Sequence, residues 1–179
     1  MKKLAKLTAL LLTGVMLLLL ASCGAAPNPG VPGGSSGLTA AEAKAKREIF
    51  KAINDERQKA KLPLLREVSE LTQLEQEFIE HFREAGTKGI PLEDANRFEQ
   101  ELLNKQKNAG WQCSGSLNFS AKEPAKLDTV YEGDTPEFRK ELIGFGFANS
   151  MDSSTALSIG VVTIEGKIYW TATTLKPIT

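Results

Sequence analysis

Residues 157–175 read LSIGVVTIEGKIYWTATTL, and this stretch decides the fold. Two runs rich in β-branched and aromatic side chains, Leu157 to Ile164 and Ile168 to Leu175, flank the polar triplet Glu165-Gly166-Lys167. Such runs are typical of strands, and a short segment with glycine between them predicts a β-hairpin. The hairpin needs other elements to cover its faces, and the residues before it supply helical patterns.

Three helices are predicted before the hairpin. Thr39-Ala40-Ala41-Glu42 is a capping box and opens a helix that reaches about Lys61, where Leu62-Pro63-Leu64 ends it because the residue before a proline avoids helical geometry. Apolar spacing of three and four residues predicts a second helix from about Val68 to Ala85 and a third from about Leu92 to Asn108. The predicted core positions are Ala43, Phe50, Ile53 and Ala60, with Ile49 at the margin; then Leu71, Leu74, Phe78, Phe82 and Ala85; then Ala95, Phe98, Leu102 and Leu103.

The remaining segments complete a single α+β domain. Trp111 to Phe119 is strand-like, and Lys122 to Gly133 is loop-like with room for a short strand or turn. Asp134-Thr135-Pro136-Glu137 starts a short helix that ends at Gly144, since proline suits the first helical turn. Helices first, then an antiparallel hairpin near the C-terminus, predict an α+β sandwich.

Composition excludes several classes of protein. The chain has 179 residues, a formal net charge of +0, one His and two Cys. One His cannot supply the multi-His sites of zinc hydrolases, and two Cys cannot hold together a disulfide-dense mini-protein. A zero net charge without a long basic run gives no electrostatic surface for nucleic acid.

The N-terminus predicts export. Residues 1–22 combine three early lysines with an apolar run from about Leu7 to Ala21, as a secretory signal peptide does. Leu20-Ala21-Ser22-Cys23 resembles the bacterial lipobox, which implies cleavage between Ser22 and Cys23 and a lipid on the Cys23 sulfur. The alternative is an ordinary signal peptide with a chance cysteine.

A tether follows the lipidation motif. Gly24 to Gly37 holds five Gly and three Pro, so residues 23–37 are predicted to form a flexible linker that leads to one domain, residues 38–179. The lipobox resemblance implies a lipid-anchored protein of the bacterial cell envelope, with its domain outside the cytoplasm and the membrane as its partner through Cys23. Gly24 replaces the Asp that retains such proteins at the inner membrane of enteric bacteria, which implies the outer membrane if the host has one.

Several segments resemble one family. Ile53-Asn54-Asp55-Glu56-Arg57, followed by Leu62-Pro63-Leu64, is similar to the opening of the CAP or SCP-like domain of cysteine-rich secretory proteins, antigen 5 and pathogenesis-related proteins. Residues 135–143 resemble its Ser-Pro-Gly-His-Arg helix, and residues 159–162 and 169–171 resemble its closing strands. The resemblance implies a three-layer α-β-α sandwich. The matched positions are Asn54, Arg57, Thr135, Pro136, Phe138, Arg139 and Gly160.

The departures from the family concern its metal-binding cleft. Typical members line that cleft with two His and two acidic residues. Phe138 occupies one of the His positions, Gly86 to Gly89 contains no His, and Ser114 to Phe119 contains no acid. The resemblance therefore implies an erased metal site, and we expect no metal or other cofactor.

No residue is predicted to be catalytic. A serine or cysteine hydrolase would need His81, which lies at the edge of the second helical stripe and is expected to be structural or on the surface. Cys113 is the only thiol left after lipidation and is expected to be a buried, inert side chain. Glu75, Glu77 and Glu80 are expected on a solvated helix face.

These observations favour a non-catalytic binding module. Phe138, Tyr131, Trp111 and His81 are the candidate residues of an apolar remnant cleft, which suits a lipid-like or other hydrophobic ligand; the alternative is that the aromatic residues belong to the core. A second hypothesis is an interaction module whose surface binds an envelope protein or the cell wall. A residual hydrolase is the third. Protein partners are not identified by the sequence.

Overall fold

The computed structural model describes residues 37–117, 119–148 and 153–179. The predicted signal peptide, Cys23 and the predicted tether up to residue 36 lie outside the described residues. Within the described ranges, no helix is both long and apolar enough to cross a membrane.

Helices and strands follow the order that the sequence predicts, with one additional strand. Thr39 caps the first helix through its hydroxyl, which accepts from the Glu42 amide at 3.2 Å, while the Glu42 carboxylate accepts from the Thr39 amide at 2.8 Å. The predicted capping box is therefore confirmed. The described elements are α1 (Ala40–Lys59), β1 (Arg66–Glu67), α2 (Ser69–Ala85), a 3-10 turn (Gly86–Lys88), α3 (Leu92–Asn108), β2 (Trp111–Leu117), β3 (Val130–Tyr131), α4 (Pro136–Gly144), β4 (Ala156–Ile164) and β5 (Lys167–Pro177).

The hairpin is the centre of the sheet. β4 and β5 pair antiparallel from Ala156↔Leu175 to Ile164↔Lys167, as predicted. Glu165 and Gly166 both have positive φ, +49° and +78°, which suits the tight turns whose twist matches the flanking strands. The strand order is β1-β4-β5-β2, and β3 also pairs with β5.

Helices cover both faces of this sheet, because side chains of a strand alternate between its faces. Leu157, Ile159 and Val161 of β4 pack in a cluster with residues of α1 and α4. Val162 and Ile164 pack in a second cluster with residues of α2 and α3. The α+β prediction is confirmed, with four helices around one open sheet in the described part of the chain.

The buried face of α1 differs from the predicted stripe. Ile49, predicted at the margin, is fully buried, whereas Ala60 is exposed and Phe50 is only half-buried. The cause is that polar residues share the buried face: Glu42 and Arg57 are both fully buried with hydrogen-bond partners. A stripe drawn through apolar residues alone therefore misses its centre. In α2 and α3, the predicted positions Leu71, Phe78, Phe82, Ala95 and Leu102 are buried.

Beyond the two residues that pair with β1, the backbone of β4 forms hydrogen bonds with side chains of α1 and α2. The Gln76 side-chain amide donates to the Val161 carbonyl at 2.8 Å and accepts from the Val161 amide at 3.1 Å. Glu42 Oε1 accepts from the Thr163 amide at 2.7 Å and from Arg83 Nη2 at 2.9 Å. These contacts satisfy backbone groups that an edge strand would otherwise leave open to another chain.

Candidate functional site

A cleft of about 520 Å³ lies between α4 and the segment that contains β3. Thr135 caps α4 by accepting from the Phe138 amide at 3.1 Å, and Pro136 occupies the first helical turn, so the start of α4 is set locally. The cleft is lined by Asp128, Thr129, Val130, Glu132, Gly133, Thr135, Glu137, Phe138, Glu141 and Phe145.

The floor of the cleft is aromatic. Phe138 is 5% exposed and packs edge-to-face on Tyr131 and Trp170, with ring centroids 5.0 and 5.9 Å apart. The ring centroid of Phe145 lies 6.4 Å from that of Trp170, in an edge-to-face arrangement, and the Phe145 side chain remains 38% exposed. Most of Phe138 therefore belongs to the core, while Phe145 offers apolar surface to whatever enters the cleft.

The rim of the cleft is acidic. Asp128, Glu132, Glu137 and Glu141 are all exposed, and no Lys or Arg lines the cleft. Glu137 and Glu141 are four residues apart on α4, so they share one face of the helix. Sequence reasoning missed this rim, because only the fold brings the segment around β3 opposite α4.

The basic residue of α4 is occupied elsewhere. The Arg139 guanidinium donates to Asp134 at 2.6 Å and to Asp55 and Glu56 of α1 at 3.0 Å each. A hydrogen bond from Arg139 holds the pKa of Asp134 below its ordinary value. Hydrogen bonds from the α1 lysines, and then from Arg139, lower the pKa of Asp55 and Glu56 in the same way. Arg139, predicted as a family-motif position, thus links α4 to α1.

The four predicted cleft residues do not form one site. Tyr131 and Phe138 are in contact, and the Tyr131 hydroxyl donates to Glu48 at 3.0 Å. Trp111 packs instead with a separate cluster at the far end of β5, and the Arg66 guanidinium lies 5.3 Å from its ring centroid. The His81 ring of α2 stacks on the Phe98 ring of α3, with the two ring centroids 3.7 Å apart. Trp111 and His81 are therefore removed from the cleft, because they belong to different parts of the fold.

Two other positions that the predicted family resemblance names form hydrogen bonds to the backbone. Asn54 acts as a strand-like partner: its side chain accepts from the Leu65 amide at 2.8 Å and donates to the Leu65 carbonyl at 3.0 Å. Arg57, fully buried, donates to the carbonyls of Pro63 and Phe147 at 2.8 and 3.0 Å. These contacts fix the segment after α1 and the turn after α4, which carries Phe145.

Gly160 permits α2 to approach the sheet closely. A Cβ at this position would lie 2.7 Å from the Glu75 carbonyl oxygen and 3.0 Å from the Thr171 hydroxyl. Both distances are shorter than ordinary van der Waals contact, so only glycine fits without movement of the backbone.

The prediction that Glu75 lies on a solvated helix face is wrong. Its side chain is fully buried between α2 and the hairpin, and the Ser158 hydroxyl lies 3.1 Å from Oε2. The hydroxyls of Thr171 and Thr173 also lie near this carboxyl, but neither they nor Glu75 Oε1 form a hydrogen bond of normal geometry. Burial raises the pKa of Glu75 to about 7, although the three hydroxyls oppose this change. Glu77, by contrast, is exposed as expected.

Cys113 is half-buried and its thiol is free. Burial raises the pKa of this thiol, which lowers the fraction of reactive thiolate. Among residues 37–117, 119–148 and 153–179, no group of three or more His, Cys, Asp or Glu side chains could hold a metal ion.

Comparisons with known proteins add no information on function, so the function has to be inferred from the cleft. No family model, no curated protein and no solved structure matches this chain.

Proposed function

We propose that the chain is a lipid-anchored protein of the bacterial cell envelope whose domain is a non-catalytic binding module with a degenerate CAP-like fold. The lipobox-like run that ends at Cys23 supports the anchor. Two observations support a three-layer α-β-α sandwich of the CAP-like type. Helices pack on both faces of the sheet. Asn54 and Arg57, which stand at the matched motif positions, form buried or partly buried hydrogen bonds.

The cleft beside α4 is the proposed binding site. The observation that carries this proposal is a concave surface of about 520 Å³ with Phe138 on its floor and a partly exposed Phe145 on its wall. A concave site with an apolar floor and a few polar groups around it is the usual form of a small-molecule site. A hydrophobic or lipid-like ligand would bury the exposed part of Phe145.

Native mass spectrometry of the full-length protein, purified from its own envelope, tests this function. We expect a small molecule that dissociates on denaturation, together with a mass that corresponds to an acylated Cys23. Phe145→Ala should reduce the bound fraction, because it removes the exposed wall of the cleft. The matched control is Leu64→Ala, which truncates a side chain that is 57% exposed and does not line the cleft.

Other outcomes identify the alternatives. An empty protein with reproducible crosslinked partners in intact cells would replace ligand binding by the surface-interaction hypothesis. Hydrolytic activity that His81→Ala abolishes would restore the residual hydrolase. An unmodified N-terminal cysteine in the exported protein would overturn the lipid anchor.

A further inference from the structure

We propose that Glu75 of α2, together with Ser158 of β4 and Thr173 of β5, forms a pH-sensitive latch. In its neutral form the Glu75 carboxyl holds α2 on the hairpin. When the carboxyl ionises, α2 separates from the sheet more often while the rest of the domain stays folded. The latch lies on the opposite face of the sheet from the cleft, so this inference does not depend on the proposed ligand.

The surroundings of Glu75 supply no positive charge. Glu75 is fully buried and forms no ion pair in the described part of the chain. Neither Ala156–Ile164 of β4 nor residues 168–175 of β5 include a charged residue. Glu99 of α3 acts on Glu75 with a charge of the same sign, as the Cys113 thiol of β2 would if it ionised. A buried carboxylate without a counter-charge is costly, so the closed arrangement favours the neutral acid.

The ion pairs that link α2 to its neighbours lie elsewhere on the helix. Arg83 pairs with Glu42 of α1, two turns beyond Glu75. Lys105 of α3 pairs with Glu77, whose side chain is half exposed. These pairs hold α2 at its surface and at its C-terminal end, and they leave the charge of Glu75 uncompensated.

The hydrogen bonds around the carboxyl also fit the neutral acid. A proton on Glu75 Oε2 can be donated to the Ser158 hydroxyl, 3.1 Å away, and that hydroxyl can donate in turn to the Thr173 carbonyl at 3.4 Å. An ionised carboxylate needs donors at both oxygens, yet Oε1 has no hydrogen-bond partner. Ionisation therefore requires the hydroxyls to turn or water to enter, and either change loosens the contact between α2 and the sheet.

The packing of α2 is divided at this point. Leu71, one turn before Glu75, packs in a small apolar cluster with residues of β4 and β5. Phe78 and Phe82, on the following turns, belong to a different cluster. The apolar side chains of α1, by contrast, lie in one cluster with those of α4. A helix held by two separate clusters with an ionisable group between them can open locally while the other face of the sheet remains packed.

Hydrogen–deuterium exchange of the full-length protein, read by mass spectrometry of peptides, tests the latch. Protection is the exchange rate of an unstructured peptide at the same pH divided by the rate in the protein. Peptides from α2 (Ser69–Ala85) report its separation, and peptides from α1 (Ala40–Lys59) report opening of the other face. Comparing the two helices at one pH separates local opening of α2 from unfolding of the whole domain.

We expect α2 to be less protected than α1, by about tenfold or more near pH 8. The protection of α2 should also fall by up to about a hundredfold from about pH 5 to about pH 8. The reason is that the pKa of Glu75 is raised from 4.5 to about 7, and one pKa unit corresponds to a factor of ten in the opening equilibrium.

Glu75→Gln assigns the pH dependence to this side chain. The amide keeps the shape of the acid and can donate to the Ser158 hydroxyl at every pH, so the protection of α2 should no longer change with pH. The matched control is Glu77→Gln on the same helix, where the side chain is 47% exposed. This control should show the same fall in protection as the wild type.

Thr173→Val keeps the test valid if Glu75→Gln does not fold. Valine has nearly the shape of threonine, and the Thr173 hydroxyl has no hydrogen-bond partner to lose. This hydroxyl favours the ionised form of Glu75, so its removal should move the end of the fall in protection to a higher pH.

Three results would overturn the latch. Equal protection of α1 and α2 at every pH would mean that α2 opens only when the whole domain unfolds. A fall in α2 protection that persists in Glu75→Gln would assign the pH dependence to another group. A fall that ends at the same pH in Thr173→Val as in the wild type would mean that the hydroxyls do not act on the group that titrates.

Discussion

Glu75 should make the folded domain less stable as the pH rises from about 4.5 to about 7. Its pKa is raised from 4.5 to about 7 because the carboxyl is fully buried. Between these two values the folded protein retains a proton that the unfolded chain releases, so the free energy of unfolding decreases with pH. Above the folded-state pKa both states are ionised, and the loss is complete.

The magnitude follows from the two pKa values. A difference of one pKa unit corresponds to about 1.4 kcal/mol, so the rise from 4.5 to about 7 corresponds to a loss of about 3 kcal/mol. The negative charge of Glu99 on α3 adds to the increase in the pKa of Glu75, and the charge of Glu75 in turn helps to raise the pKa of the Cys113 thiol on β2. The other facing groups, from β4 and β5, are the neutral hydroxyls of Ser158, Thr171 and Thr173.

Glu75→Gln tests this argument, because an amide has nearly the shape of the neutral acid and carries no charge at any pH. We expect urea unfolding, followed by tryptophan fluorescence, to give similar free energies for the two proteins near pH 5. Near pH 8 the variant should be more stable by about 3 kcal/mol. Glu77→Gln is the matched control on the same helix: the Glu77 side chain is 47% exposed, and we expect no comparable difference.

Two results would refute the reasoning. Parallel stability curves for the wild type and Glu75→Gln between pH 5 and pH 8 would mean that Glu75 is ionised in the folded protein throughout this range. A lower stability of the variant at every pH would mean that the carboxyl accepts hydrogen bonds as an anion.

The pH dependence of stability in acid is a separate test. Because the pKa values of Asp55, Glu56 and Asp134 are lowered in the folded protein, these carboxylates stabilise it at pH values above their ordinary pKa. This stability is lost as the pH falls below about 4.

Three further substitutions test the packing by the same urea assay. Asn54→Ala should cost about 2 kcal/mol, because both backbone groups of Leu65 lose their partner; a neutral result would mean that water replaces the side chain. Gly160→Ala should cost about 1–3 kcal/mol, since its Cβ would lie 2.7 Å from the Glu75 carbonyl oxygen, and wild-type stability would show that α2 moves freely. Phe138→Ala should cost about 3 kcal/mol or more, and a loss of ligand without a loss of stability would instead return Phe138 to a purely binding role.

Local signals in the sequence predicted most of the elements correctly. Thr39 and Thr135 cap their helices with contacts made within one turn, and the hairpin turn at Glu165 and Gly166 forms between neighbouring strands. These structures depend on residues close together in the sequence, so their patterns can be recognised without the fold. Phe138 and Tyr131, which the sequence analysis names together, are in contact in the fold, although largely within the core.

Burial, pairing at the sheet edge and the form of the site were decided by the tertiary structure. β1 is only two residues long and both are exposed, so no hydropathy pattern marks it; it exists because β4 offers a parallel edge. Glu75 has the sequence context of a surface residue and is buried because hydroxyls of β4 and β5, more than eighty residues away, surround its carboxyl. The acidic rim of the cleft also arises only when Asp128 comes opposite Glu141. The sequence by itself determined the four helices and the β4–β5 hairpin, since their signals are local, whereas the charge and burial of each polar group depend on distant partners that only the folded chain brings together.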